Sequence, residues 1–305
     1  MTDERTARRE RQRRQVRRQR AIAGASLAAF VIAVGAVVAV RSGDGTRGTR
    51  TGSTRAAANR NRSGGAESPG PAGAAKVRNA TPQPDWRPFT GPVPILEYHV
   101  LGPAPANAPY PELYVSRPDF HRQMNWIDDH GYQAVTLDQV EKAWYENGAL
   151  PAKPVVVSFD DGYRSQFTYA LPELRKHGWA GVLNLKAEDS DLYTSNIEAM
   201  LAAGWELAAH TIHHLDLTEL DASHLKEEVA GSRAILRREY GVPVNNFCYP
   251  AGRFDETVIA AVKAAGYTGA TTEIPGYADR ERPYELDRFE ILGSTGVTGL
   301  AADLN

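Results

Sequence analysis

Val155-Val156-Val157-Ser158-Phe159-Asp160-Asp161-Gly162 decides the fold class and most of the chemistry. Its apolar run has the length and β-branched content of a buried strand, and it ends in two adjacent carboxylates. Adjacent carboxylates repel each other unless something positive intervenes. Further along the chain, His210-Thr211-Ile212-His213-His214 offers two imidazoles four residues apart. Together with one of the aspartates these are the ligand types of a divalent-metal site, and a hydrolase is the natural use of one.

On both sides of this strand the pattern alternates strand with helix. Ile95 to His99 reads as a strand; Ser116, ahead of Arg117-Pro118, starts a helix with Phe120, Met124 and Ile127 on one face and Gly131 at its end. Ser165 to His177 is the next helix, stopped by Gly178, and Ala180 to Leu185 the next strand. A helix ending near Gly204 leads to a short strand from Trp205 to Ala208. A long amphipathic helix from Ser223 to Tyr240 is closed by Gly241. Asn246 to Tyr249 is a strand, Asp255 caps a helix through Ala265, and Tyr267 to Thr271 closes the series. Strands this hydrophobic, separated by helices, favour a parallel sheet covered on both faces. An open doubly wound sheet and a closed barrel both satisfy that. The polar motifs lie at or just past the C-terminal ends of successive strands, which leans toward a barrel.

The first 85 residues have a different character. They hold 17 Lys and Arg against 6 Asp and Glu, while residues 86–305 hold 18 against 31, so the two parts carry charges of +11 and −13. Residues 1–20 form a basic, arginine-rich segment. Residues 21–40 are twenty uncharged small or apolar residues, long enough as a helix to span a hydrocarbon core of about 30 Å, and Ala39-Val40-Arg41 is a poor cleavage site. This predicts an uncleaved transmembrane signal anchor, with the arginines cytoplasmic and the rest of the chain outside a plasma membrane. Residues 41–85, rich in Gly, Ala, Ser, Thr, Arg and Asn, read as a disordered linker. Cys248 is the lone cysteine, so the domain over 86–305 relies on its core rather than on an intramolecular disulfide. Its acidic balance argues against nucleic acid as a partner.

Ser158-Phe159-Asp160-Asp161-Gly162, then His210-Thr211-x-x-His214 with Leu215-Asp216-Leu217, then Phe247-Cys248-Tyr249-Pro250-Ala251-Gly252, resembles the polysaccharide deacetylases of carbohydrate esterase family 4, the NodB-homology domains. Ile95-Leu96-Glu97-Tyr98-His99-Val100 and the Tyr-Pro form of the third motif are similar to the poly-N-acetylglucosamine deacetylase branch. The resemblance runs from about Pro94 to Ile291. It implies a deformed (β/α)7 barrel in which Asp161, His210 and His214 hold the metal and Asp160 stays off it as the general base. It also implies that the backbone NH of Ala251 donates to the oxyanion. Tyr163 and Tyr249 are expected to line the sugar groove, and Glu227 and Glu228 to be a solvated helix face.

Two departures concern the proton the leaving nitrogen must receive. Cys248 stands where many relatives carry an arginine, with Arg253 further along, and no histidine follows His224 to serve as the family's usual acid. The proton then comes back from Asp160, or from His99 or His213, in that order of preference, or turnover is slow. The expected activity is removal of acetyl groups from an N-acetylated polysaccharide, peptidoglycan or poly-N-acetylglucosamine, with Zn2+ the first choice of metal. Alternatives are an O-acetyl esterase on xylan-type polysaccharide and a catalytically impaired glycan-binding domain.

Overall fold

A computed structural model describes residues 76–304, all within one compact unit of the chain. The basic segment 1–20, the expected anchor 21–40 and the linker through residue 75 lie outside the described residues. Among the described residues, no helix is long and apolar enough to cross a membrane.

Six parallel strands form the centre: β1 Val93–Tyr98, β2 Pro154–Asp160, β3 Val182–Leu185, β4 Glu206–Ala209, β5 Asn246–Cys248 and β6 Gly269–Thr271. Their order is β6-β5-β4-β3-β2-β1, each beside its neighbour in the chain, the arrangement that successive strand–helix repeats give when they wind in one direction. Beyond β1 the short strand β7, Phe289–Glu290, pairs in parallel with Leu96 and Glu97. The stretch leading into it also bonds β6: Leu286 bridges Thr271, and the Thr272 amide donates to the Leu286 carbonyl at 2.9 Å. The architecture is thus a curled α/β sheet whose two edges are joined by an irregular stretch rather than by a full strand.

Side-chain alternation along the strands sorts the residues. Leu96, Tyr98, Val155, Val157, Phe159, Leu183 and Leu207 enter the large core shared with the helices, whereas Ile95, Val156, Val182 and Ala208 join a smaller core with Leu286. On that second face, the residues nearer the C-terminal strand ends turn polar: Glu97, Ser158, Asp160 and Asn184, all at most 1% exposed. Phe159, between Ser158 and Asp160, packs against Tyr98, Phe120 and Trp205 at centroid distances of 5.7, 6.0 and 5.2 Å. A one-residue slip of β2 would exchange this aromatic for the carboxylates, so the cluster fixes the register that aims Asp160 at the site.

The helices follow the sequence closely. In α1, Arg117–Asp129, Ser116 caps the Asp119 amide, and Phe120, Met124 and Ile127 are buried. The expected linker ends earlier than residue 85. Asn79 is fully buried, its side chain donates to the Ala134 carbonyl at 3.1 Å, and Val77 bonds Ala203 through its backbone. The small polar residues of this stretch hid a specific fit that composition does not register.

Candidate active site

The three motifs converge at the C-terminal ends of β2, β4 and β5. Asp161, His210 and His214 bring one ligand atom each within 4.8 Å of one another, and both imidazole Nε2 atoms lie 3.7 Å from Asp161 Oδ1. The His210 Nδ1 donates to the Cys248 carbonyl at 2.8 Å, since a carbonyl only accepts. That bond fixes the tautomer and leaves the Nε2 lone pair facing Asp161. Burial, and then His214, pushes the His210 pKa down to about 4, and burial lowers that of His214, so both rings are neutral near pH 7. Burial alone would raise Asp161, but His210, His99, His214 and Lys186 together keep it ionised below the usual carboxylate range. One anionic oxygen and two neutral imidazoles suit a borderline divalent cation, and three protein ligands leave positions for water and substrate.

The backbone here is strained. Six non-glycine residues among those described have positive φ, and four of them, Asp161, Thr211, His214 and Ala251, stand in the three motif loops at 74°, 64°, 60° and 49°. Each such residue costs on the order of 1–3 kcal/mol, which the surroundings must over-determine. At Gly162, φ is 77° and a Cβ would fall 2.4 Å from Ser190 Oγ, so glycine is required after the aspartates. Thr211 Oγ1 accepts from the His214 amide at 2.8 Å. His213 turns away from the cluster, bonding Glu228 at 2.6 Å with its Nδ1. His214, rather than His213, is thus the histidine that lies with Asp161 and His210.

The counterion of Asp160 comes from a residue to which the sequence attached no role. Arg288, 1% exposed, forms a fork on Asp160, Nη1 to Oδ1 at 2.9 Å and Nη2 to Oδ2 at 2.8 Å. Its Nη2 also lies 3.2 Å from Glu97 Oε2 and 3.3 Å from Cys248 Sγ, and Nε donates to the Thr272 carbonyl at 2.7 Å. Arg288 thus supplies the guanidinium that the third motif lacks, and Cys248 leaves room for it. Asn184 and the Cys248 thiol complete the shell of Asp160, at 2.6 Å to Oδ1 and 3.3 Å to Oδ2. Burial opposes ionisation of Asp160, but Arg288 outweighs it and holds the carboxyl far below the usual range. Arg253 instead pairs with Asp216, tying the third motif loop to the second.

Other expectations divide. Tyr163 is half-buried beside Asp161, and burial, then the Asp161 charge, raises its hydroxyl pKa. Tyr249 does not line a groove: it is fully buried, stacked on Phe254 at 4.8 Å, with its hydroxyl on the Tyr284 carbonyl. The strand alternation that points Cys248 inward points Tyr249 outward. Glu228 is not solvated either; it is 3% exposed and bonded to the second motif loop. Cys248 is fully buried, and burial raises its thiol, which suits packing rather than nucleophilic attack. Lys186 and Glu97 are site neighbours the sequence did not single out. Lys186 Nζ lies 3.8 Å from Asp161 Oδ1, and Glu97 Oε1 lies 3.8 Å from His99 Nε2.

Residues 147–270 match the polysaccharide deacetylase family. YxkH of Bacillus subtilis, a protein assigned to the polysaccharide deacetylases, is 28% identical over 214 residues, covering 68% of this chain and 74% of that protein. The poly-β-1,6-N-acetyl-D-glucosamine N-deacetylase of Escherichia coli is 40% identical over 60 residues, 20% of this chain and 9% of that protein. A crystal structure of a polysaccharide deacetylase from Bacillus cereus is 27% identical with a TM-score of 0.63, covering 71% of this chain and 70% of that one.

Proposed function

We propose, for a chain that belongs to the polysaccharide deacetylase family and is therefore a glycan-acting hydrolase, that it removes N-acetyl groups from an N-acetylated polysaccharide at the cell surface with a divalent cation, zinc first. The observation that carries this is the convergence of Asp161, His210 and His214 beside a second, arginine-held carboxylate. Asp161 Oδ1 and the two Nε2 atoms would hold the cation. When bound, it supplies a Lewis acid for the acetyl carbonyl and lowers the pKa of water toward about 7.

The protein's own groups then carry the proton traffic. Asp160 takes the proton of the attacking water at Oδ2, where the weak thiol donor of Cys248 is the partner most easily given up. Four donors already meet the four lone-pair sites of this carboxylate, so Asp160 holds a transferred proton poorly. A proton held this weakly is readily given up, so Asp160 can return it to the leaving nitrogen. His213 is turned away on Glu228, which leaves His99 as the second candidate donor. It is buried at the end of β1, its Nε2 faces Glu97, and it clusters with Glu97 and Asp160 within 4.8 Å. A donor in either position favours an active enzyme over a catalytically impaired domain. The left-handed turn at Ala251 is where a backbone NH would meet the oxyanion.

The name of the Escherichia coli relative supports poly-N-acetylglucosamine, and peptidoglycan carries the same acetamido group. The location rests on sequence alone, with Ala21 to Val40 as the anchor. Acetate release from N-acetylglucosamine oligomers and from acetylxylan tests the activity. Release from the oligomers that is lost in Asp160→Asn supports it; release from acetylxylan alone makes the enzyme an O-acetyl esterase.

A further inference from the structure

The helix over 222–240 is not uniform. Between Ala222–Lys226 and Ser232–Tyr240, both α-helical, residues Glu227–Gly231 form one π-helical turn, an inserted residue in the helical repeat. The fold builds this turn in. The Val229 carbonyl within it accepts from Ser232 Oγ at 2.9 Å and from the Tyr267 hydroxyl at 3.0 Å, and both of those residues are buried. An α-helix rotates about 100° per residue, so the inserted residue decides which way Glu228 points.

It points at the loop that carries the second metal-ligand histidine. Glu228 Oε2 accepts from the amides of Ile212 and His213 at 2.9 and 3.0 Å, and Oε1 accepts from His213 Nδ1 at 2.6 Å. Ile212 packs so closely on the turn that a Cβ on Gly231 would come within 3.0 Å of its Cδ1. This loop holds Thr211 and His214 in the left-handed region, a conformation that the loop would leave without outside bonds. A second π-turn, Gln166–Ala170, uses the same device: buried Gln166 donates to the carbonyls of Asp160 at 2.6 Å and of His99 at 3.1 Å.

We infer that Glu228, delivered by the π-turn at 227–231, is a positioning residue that sets the metal affinity of the site by holding the 211–214 loop in its strained conformation. The inference rests on Asp161, His210 and His214 being the metal ligands. Glu228 acts by accepting two amide hydrogens, not by its charge. A glutamine oxygen can accept the same pair while its amide donates to neutral His213 Nδ1; an aspartate keeps the charge but falls one methylene short.

Co2+ titration of the full-length, chelator-stripped protein, followed by the visible d–d band and by competition with a chelating dye, tests this. Expected are a cobalt Kd raised about 10- to 100-fold with an altered band in Glu228→Ala and Glu228→Asp, and near-wild-type affinity and band in Glu228→Gln. Thermal melts of the same samples separate this from loss of fold, and Glu228→Asp carries the test if Glu228→Ala does not fold. Wild-type affinity and spectrum in Glu228→Asp, or a Glu228→Gln as weak as Glu228→Asp, overturns the inference. Wild-type protein that takes up no cobalt overturns the ligand assignment itself, and this inference with it.

Discussion

Replacing Arg288 by methionine should cost the protein most of its stability at neutral pH and much less in mild acid. Arg288 is a buried cation between the Asp160 carboxylate at 2.8 Å and the Glu97 carboxyl at 3.2 Å. Without the guanidinium the Asp160 charge stays buried and has lost its counterion. Removing one partner of a buried ion pair costs about 3–5 kcal/mol. An upper limit comes from protonation, because the variant can fold with one carboxyl neutral. Taking an unfolded-chain aspartate of pKa about 3.9 and about 1.36 kcal/mol per pH unit, that route costs about 5 kcal/mol at pH 7.5 and about 1.5 kcal/mol at pH 5. The sign is set by the wild type. Folded Asp160 ionises below its unfolded value, so its contribution is present above pH ~4 and is lost only as the pH falls below that. Between pH 7.5 and 5 the wild type is therefore unaffected by this pair while the variant recovers. Urea unfolding of chelator-treated wild type and Arg288→Met at both pH values reads the difference. A loss under about 1 kcal/mol at pH 7.5, or one that grows on acidification, refutes the assignment of Arg288 as the charge partner of Asp160.

Two more outcomes follow from groups outside the reacting atoms. Burial lifts the pKa of Glu141 to about 7, and Thr268 bonds its carboxyl at 2.6 Å; folded Glu141 thus keeps its proton to higher pH than the unfolded chain does. Its favourable contribution is full below pH ~4.5 and lost as the pH rises through about 7, so Glu141→Gln should melt like wild type near pH 4.5 and be up to about 3 kcal/mol more stable at pH 8. Parallel melting curves across that range would contradict this. Tyr249→Phe removes only the bond to the Tyr284 carbonyl, which predicts a loss of about 1 kcal/mol and an unchanged KM; a severalfold rise in KM at unchanged stability would return Tyr249 to the sugar groove.

The parts of the site that the sequence displayed are those carried by contiguous residues. Asp160 and Asp161 follow an apolar strand, and His210 and His214 lie four apart after another, so local pattern suffices to find them. Arg288 lies 128 residues from Asp160, and Glu228 lies 16 from Ile212 on a helix whose π-turn breaks the period. Periodicity predicts for Glu228 an exposed position, and only tertiary packing reverses that. Tyr249 is a different kind of miss. Asn246 and Cys248 face inward, so strand alternation alone assigns Phe247 and Tyr249 to the opposite face. Closure between β6 and β1 was not legible because the residues that join them, Pro283 to Phe289, pair too briefly to look like a strand.

The measurement closest to the centre of this account is acetate release from N-acetylglucosamine oligomers by chelator-stripped protein as Zn2+ is added back. Release should be absent at the start, rise to a plateau at about one equivalent, and stay absent in His214→Ala at the same zinc concentrations. Full release in the presence of chelator, or equal release by His214→Ala, would contradict the claim that Asp161, His210 and His214 grip the ion on which hydrolysis depends.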